Sequence, residues 1–132
     1  MNYLYHGSTT QNLKTLEPRK RHTPYGEMNA SIYATPSAAF AATHSFLWTT
    51  DEGVNLNVHG DHIVLTLPES MKERLQVPVS IYKLEDTGFE HTVKESTGYT
   101  WHIEQPVEIL EEIKYESVED AIVISGGEVR YI

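Results

Sequence analysis

Tyr3-Leu4-Tyr5-His6-Gly7-Ser8 and Ser31-Ile32-Tyr33-Ala34-Thr35-Pro36 decide how this chain is read. Each is a short run rich in aromatic or β-branched residues that ends in a polar turn, which is the pattern of a strand. The first places a His at its end, and the second carries a Tyr. An imidazole there can donate to a ligand hydroxyl, and Gly7 lets a ligand approach the backbone closely. The Tyr ring can stack on an aromatic ligand. On neighbouring strands, His6 and Tyr33 would clamp a flat polar ring. Plainer roles stay open to each residue taken alone: a structural His beside a turn, and a core or cross-strand aromatic.

Between these segments, residues 7–30 read as a mostly polar loop. Leu13-x-x-Leu16 reads as a single helical turn within it and Pro24-Tyr25-Gly26 as a turn. Connections of that length in a compact domain are often functional. After the second segment, Thr35-Pro36-Ser37 starts a helix, with Pro near the first turn and hydroxyls as caps. The apolar pattern carries that helix from about Ser37 to Trp48. Residues 49–60 are polar and turn-rich. His62 to Leu67 reads as a strand stopped by Pro68, and Glu69 to Leu75 as a short helix with Ser70 as a cap. Val79 to Leu84 alternates as a strand does. Asp86-Thr87-Gly88 is a turn, with a strand beginning at Phe89. Tyr99 to Ile103 and Val107 to Tyr115 read as two more strands. Ser117-Val118-Glu119-Asp120 resembles a capping box that opens a short helix. Ser125-Gly126-Gly127-Glu128 then turns the chain into a last strand, Val129 to Ile132. Many short strands with two or three short helices predict an α+β fold with largely antiparallel pairing, as one domain over residues 1–132. No Gly-rich loop of the dinucleotide or nucleoside-triphosphate kind occurs.

Composition narrows the function classes. A chain of 132 residues can bury a real core. It has no apolar run of the ~18 residues that a membrane span needs. Its N-terminus has neither the basic region nor the apolar core of a secretory signal. The absence of cysteine excludes disulfides, thiolate metal sites and a Cys nucleophile, and it fits a cytoplasmic protein. Net charge is −9, and residues 85–128 hold twelve acids against Lys94 and Lys114. Such a surface disfavours non-specific nucleic-acid binding, because phosphate repels it. Arg19-Lys20-Arg21, with Lys14 nearby, is the main basic cluster. It suits a diphosphate or a solvated loop.

Other candidate chemistry is thinner. His59-Gly60-Asp61-His62 has metal-ligand residue types at close spacing but lacks a third ligand that the sequence can place, so no metal site is assigned. Glu104, Glu108, Glu111 and Glu112 offer carboxylates for acid or base work, yet alternation turns Glu108 to water and most of the set reads as a solvated face. Ser8 with His6 does not make a hydrolase, since no Gly-x-Ser-x-Gly elbow is present.

Three blocks carry a family likeness. Tyr3 to Ser8 looks like an aromatic-x-His-Gly-[Ser/Thr] strand. Ser31 to Phe40 looks like Ile-Tyr-x-Thr followed by a helix with Ala and Phe. Tyr99 to Tyr115 looks like an aromatic strand followed by Gln105-Pro106-Val107 and an acidic apolar strand. With Leu16-Glu17-Pro18-Arg19 in the first loop, the chain resembles the ADP-ribosyltransferase-like superfamily. The likeness is to the subgroup built around a His, a Tyr and a variable third residue, and to its small bacterial and phage members. The resemblance implies two small, mostly antiparallel sheets in a split sandwich, with NAD as co-substrate in the cleft between them. It assigns His6 to the nicotinamide-ribose hydroxyls, Gly7 to the carboxamide and Tyr33 to the nicotinamide, and it counts Ser8 and Phe40 among the cofactor-binding residues. Arg19 or Arg21 would meet the diphosphate. ADP-ribose would then pass to an acceptor that the sequence does not name. At the third position the resemblance places Thr100 where transferring members often carry Glu. Thr offers no negative charge to a developing cation. Glu104 lies on the same face, but four residues along and on the order of 13 Å away. The resemblance therefore leaves three readings: a mono-ADP-ribosyltransferase-like enzyme with a weakened third position, a non-catalytic nucleotide- or protein-binding domain of that fold, and an NAD-dependent RNA 2′-phosphotransferase.

Overall fold

In a computed structural model of the protein, β1 (Tyr3–Ser8) runs antiparallel to a strand far along the chain, with Tyr3 opposite Glu85 and Ser8 opposite Ser80. The structure describes residues 2–23, 26–60, 62–92 and 100–132, and of residues 19–29 only the backbone. The segment expected as a loop is largely strand. It holds β2 (Thr15–Leu16), β3 (Arg19–Thr23) and the first half of β4 (Gly26–Ala34). β3 and β4 form an antiparallel hairpin with a register shift between Arg19 and Arg21. Their sequences are mostly polar, so apolar alternation, the signal that finds half-buried strands, is missing. Leu16 is buried, but in a strand pair and not in a helical turn.

α1 (Ala38–Thr43) starts as the sequence predicts. Ser37 is its N-cap, and its Oγ accepts the Phe40 N–H at 3.1 Å. It stops five residues earlier than expected because side-chain donors take over its last carbonyls. Thr43 Oγ1 donates to Phe40 O at 2.7 Å, Ser45 Oγ to Ala42 O at 2.6 Å, and Trp48 Nε1 to Thr43 O at 2.7 Å. These local bonds compete with further helix.

A 3₁₀ turn at Thr50–Glu52 leads to β5 (Asn55–His59), a strand in the stretch expected to be turns. β6 (His62–Leu67) pairs back onto it, and Pro68 stops β6 as expected. The helix at Glu69–Leu75 is 3₁₀, with Pro68 at its cap in place of Ser70. β7 (Val79–Glu85), β8 (Glu90–His91) and β9 (Trp101–Ile103) follow. The single strand expected over Val107 to Tyr115 is two. β10 (Val107–Glu108) pairs with β2, whereas β11 (Glu111–Tyr115) pairs with β7. α2 (Val118–Ile124) is capped by Ser117, whose Oγ accepts the Asp120 N–H at 3.0 Å. β12 (Glu128–Tyr131) closes the order.

Among the described residues the strands form ladders in the orders β1-β7-β11, β10-β2, β12-β6-β5 and β3-β4-β9-β8. All pairings are antiparallel except β12 with β6. The fold is thus α+β with small, mostly antiparallel sheets and short helices. One core lies between the helices and the β7 and β6 strands, around Leu65, Leu67, Leu75, Ile81, Val118 and Ile122. A second lies between the β1-β7 face and the β4-β9 face, with Leu4, Tyr82 and Leu84 meeting Ile32, Ala34 and the partly buried Trp101. No helix among the described residues is long and apolar enough to cross a membrane.

Candidate functional site

β1 and β4 touch edge to edge through one rung. The Tyr5 N–H donates to Thr35 O at 2.7 Å and the Thr35 N–H to Tyr5 O at 3.0 Å. Continuing that antiparallel ladder would set Gly7 against Tyr33. The ladder does not continue. Instead, the His6 ring fills the gap, with Nδ1 2.7 Å from Tyr33 O. His6 thus takes the carbonyl that the Gly7 N–H would otherwise bond. On the far side of the gap, β3 takes up the β4 edge again at Ser31, opposite Arg19.

Alternation says where the backbone groups of Gly7 point. Tyr5 spends its N–H and C=O on Thr35, so Tyr5 opposite Lys83 is a non-hydrogen-bonded pair of the β1-β7 ladder, and so is Gly7 opposite Ile81. The N–H and C=O of Gly7 therefore face the gap beside Tyr33. Among the described residues no hydrogen bond engages them. The seam offers one amide donor and one carbonyl acceptor on a strand edge, beside a Tyr ring.

Gly7 has a second reason to be glycine. A Cβ there would lie 2.4 Å from Ala41 O, inside the backbone of α1. The helix packs directly on the strand at this point and holds it in place.

Tyr33, Thr100 and His102 lie on one face of the β4-β9 sheet, since Tyr33 sits opposite His102 and Thr100 is two residues before it. Thr100 is buried, and its carbonyl accepts the Thr92 N–H at 2.8 Å. Glu104 is exposed, past the end of β9. His102 is the residue that motif reading passed over. Its ring centroid is 6.1 Å from that of Tyr33, its Nδ1 is 2.8 Å from Thr92 Oγ1, and its Nε2 is 3.9 Å from Glu90 Oε2. Strand register between β4 and β9 was the signal that could have found it.

The other expected site residues fall as follows. Ser8 is half-buried at the end of β1, and its Oγ accepts the Thr10 N–H at 3.0 Å. Phe40 is a core residue, buried with Ala39 and Ile63, and its ring stacks on His44 with centroids 4.5 Å apart. Arg19 and Arg21 are on β3, and their side chains lie outside the described residues. Pro24, Tyr25, Asp61, Lys94 and Tyr99 also lie outside them. His59 and His62 face each other across the β5-β6 hairpin, and among the described residues no group of three or more His, Cys, Asp or Glu could hold a metal ion.

Of the carboxylates, Glu108 and Glu111 are exposed as expected, but Glu112 is half-buried and structural. Its Oε2 accepts Ser80 Oγ at 2.6 Å and the Asn12 N–H at 2.9 Å, while Lys114 Nζ donates to Asn12 Oδ1. Burial pushes its carboxyl up, but the Ser80 and Asn12 hydrogen bonds and the Lys114 charge outweigh that and hold it below the usual value. Tyr82 completes the arrangement by donating its hydroxyl to Thr10 O at 2.6 Å and accepting the Leu13 N–H at 3.3 Å. Burial raises the Tyr82 hydroxyl above its ordinary value. Together these groups tie residues 10–13 to β7 and β11. No protein-family model, curated protein or solved structure matches this chain.

Proposed function

We propose that the seam between β1 and β4 binds NAD or an ADP-ribose-like nucleotide, and that the protein is a cytoplasmic, mono-ADP-ribosyltransferase-like domain. The observation that carries the reading is the break in pairing at His6. A buried imidazole takes Tyr33 O, and among the described residues the donor and acceptor of Gly7 stay open beside the Tyr33 ring. A carboxamide carries the complementary acceptor and donor, and its attached flat ring suits stacking on Tyr33. In this reading Gly7 receives the carboxamide, Tyr33 covers the nicotinamide and His6 meets the ribose. The expected test result is a rise in melting temperature with NAD or ADP-ribose that Tyr33→Ala abolishes. No rise at millimolar ligand overturns the reading.

Thr100 favours a second reading, a domain of the same kind that binds without efficient transfer. At the head of β9 it brings a buried hydroxyl where a carboxylate would steady a cation. Released nicotinamide from labelled NAD separates the two readings. Measurable release by the wild type supports the enzyme. Silence in the wild type, with release by a folded Thr100→Glu variant, supports the binding domain.

A further inference from the structure

Tyr33 belongs to two arrangements at once. Its carbonyl is held by His6, and its ring stands at the end of a row that runs across three strands. His102 is directly opposite Tyr33, and Glu90 is directly opposite His102. Directly opposed residues share a face, so Tyr33, His102 and Glu90 form one line on the side of the sheet that carries Thr100. The spacings agree, with 6.1 Å between the Tyr33 and His102 centroids and 3.9 Å between His102 Nε2 and Glu90 Oε2.

The imidazole of His102 is set in orientation. Thr92 Oγ1 holds Nδ1 at 2.8 Å, and Thr92 itself is buried. Nε2 is the other end of the ring. Among the described residues it makes no hydrogen bond, and the side chain keeps 27% of its surface exposed. Glu90 is 82% exposed, so its carboxylate can swing within a small radius of Nε2.

We infer that His102 and Glu90 complete the ligand site begun at the seam: His102 Nε2 contacts a ribose hydroxyl, and the Glu90 carboxylate stands beside the positively charged ring of oxidised nicotinamide. The inference rests on the proposed nucleotide site and adds the polar wall that Thr100 does not supply. A phosphate oxygen is the poorer partner for Nε2, because the neighbouring Glu90 carboxylate repels it. A hydroxyl can donate to that carboxylate or accept from the ring, and a cationic ring is attracted to it.

The test is a set of dissociation constants by calorimetry for NAD, its reduced form NADH and ADP-ribose. The variants are His102→Ala, His102→Gln, Thr92→Val, Glu90→Gln and Tyr33→Ala, each checked for an unchanged fold by circular dichroism. His102→Ala should weaken all three ligands by about three- to tenfold, the worth of one hydrogen bond, and His102→Gln should recover part of the loss. Thr92→Val keeps the ring but frees its orientation, so it should give a smaller loss of the same pattern. It stands in if His102→Ala does not fold. Glu90→Gln should weaken NAD by about two- to threefold and leave NADH unchanged, since only the oxidised ring is cationic and an exposed charge contributes little. If Tyr33→Ala abolishes binding while the His102, Thr92 and Glu90 variants bind as the wild type does, the inference is overturned and the seam stands. If the wild type binds none of the three, the seam itself is overturned and the inference goes with it.

Discussion

His6 and Tyr33, 27 residues apart, are joined by a 2.7 Å hydrogen bond from ring nitrogen to backbone carbonyl, and that bond stands where a rung of sheet would otherwise be. Replacing His6 by Ala leaves the carbonyl of Tyr33 without that partner beside an apolar core. The expected cost is about 1–3 kcal/mol, the desolvation penalty of an unpaired buried group. Urea denaturation of His6→Ala should show a lower midpoint with an unchanged slope, and the melting shift with ADP-ribose should disappear. A midpoint equal to that of the wild type would mean that the bond contributes nothing to holding the seam.

Gly7→Ala tests the contact with α1. The added methyl would meet Ala41 O at 2.4 Å, and the obstacle is helix backbone, not a flexible side-chain tip. Overpacking of this kind costs roughly 1–3 kcal/mol, and more where the backbone cannot move. Thermal unfolding is expected several degrees below the wild type. A variant as stable as its parent would show that α1 can retreat from β1.

The Glu112 arrangement makes a pH prediction with a definite sign. The Ser80 and Asn12 hydrogen bonds hold its carboxyl below the ordinary value of a glutamate, so the folded state favours the charged form. The stability it contributes is fully present above about pH 4.5 and is lost as pH falls through the lower folded value. Glu112→Gln should therefore be less stable than the wild type at neutral pH, and the gap between their melting temperatures should close toward about pH 3. A gap that widens on acidification would reverse the sign and contradict the role assigned to Ser80 and Asn12.

Ser37→Ala removes the cap of α1, whose Oγ accepts the Phe40 N–H. Loss of about 1 kcal/mol is the usual cost of such a change. Ser37→Asp should recover most of it, because a carboxylate serves both as a cap and as a charge at the positive helix end. Chemical denaturation of the two variants side by side reads the difference. Equal loss in both would place the effect outside the cap.

How much of this was legible in the sequence depends on the signal each element carries. β1, β6 and β7 combine β-branched or aromatic residues with clear ends, and all three lie close to where the pattern puts them. The β3-β4 hairpin and β5 do not. Their residues are mostly polar, and what makes them strands is hairpin pairing, β3 with β4 and β5 with β6. The break at Ile109-Leu110 was hidden for the opposite reason. The apolar spacing runs on through it, while the pairing switches from β2 to β7. Within the site, motif spelling pointed to His6, Gly7 and Tyr33. It could not supply His102 or Glu90, because their place beside Tyr33 comes from cross-strand register, which no local window contains. Phe40 shows the reverse case. It fits a motif, but its ring is spent in the core.

The pairing of β1 with β7 also sets an order of events. Residues 3–8 have their ladder partners at residues 80–85, so the first strand cannot settle until a segment most of a domain away has been made and brought back. Closing such a distance is slow, because chain entropy is lost before the contacts that offset it exist. A peptide covering the first forty residues would contain His6, Gly7 and Tyr33 and still hold no seam between them. The seam proposed as a binding site is therefore a property of long-range topology, and it cannot be excised or transplanted as a short stretch of sequence.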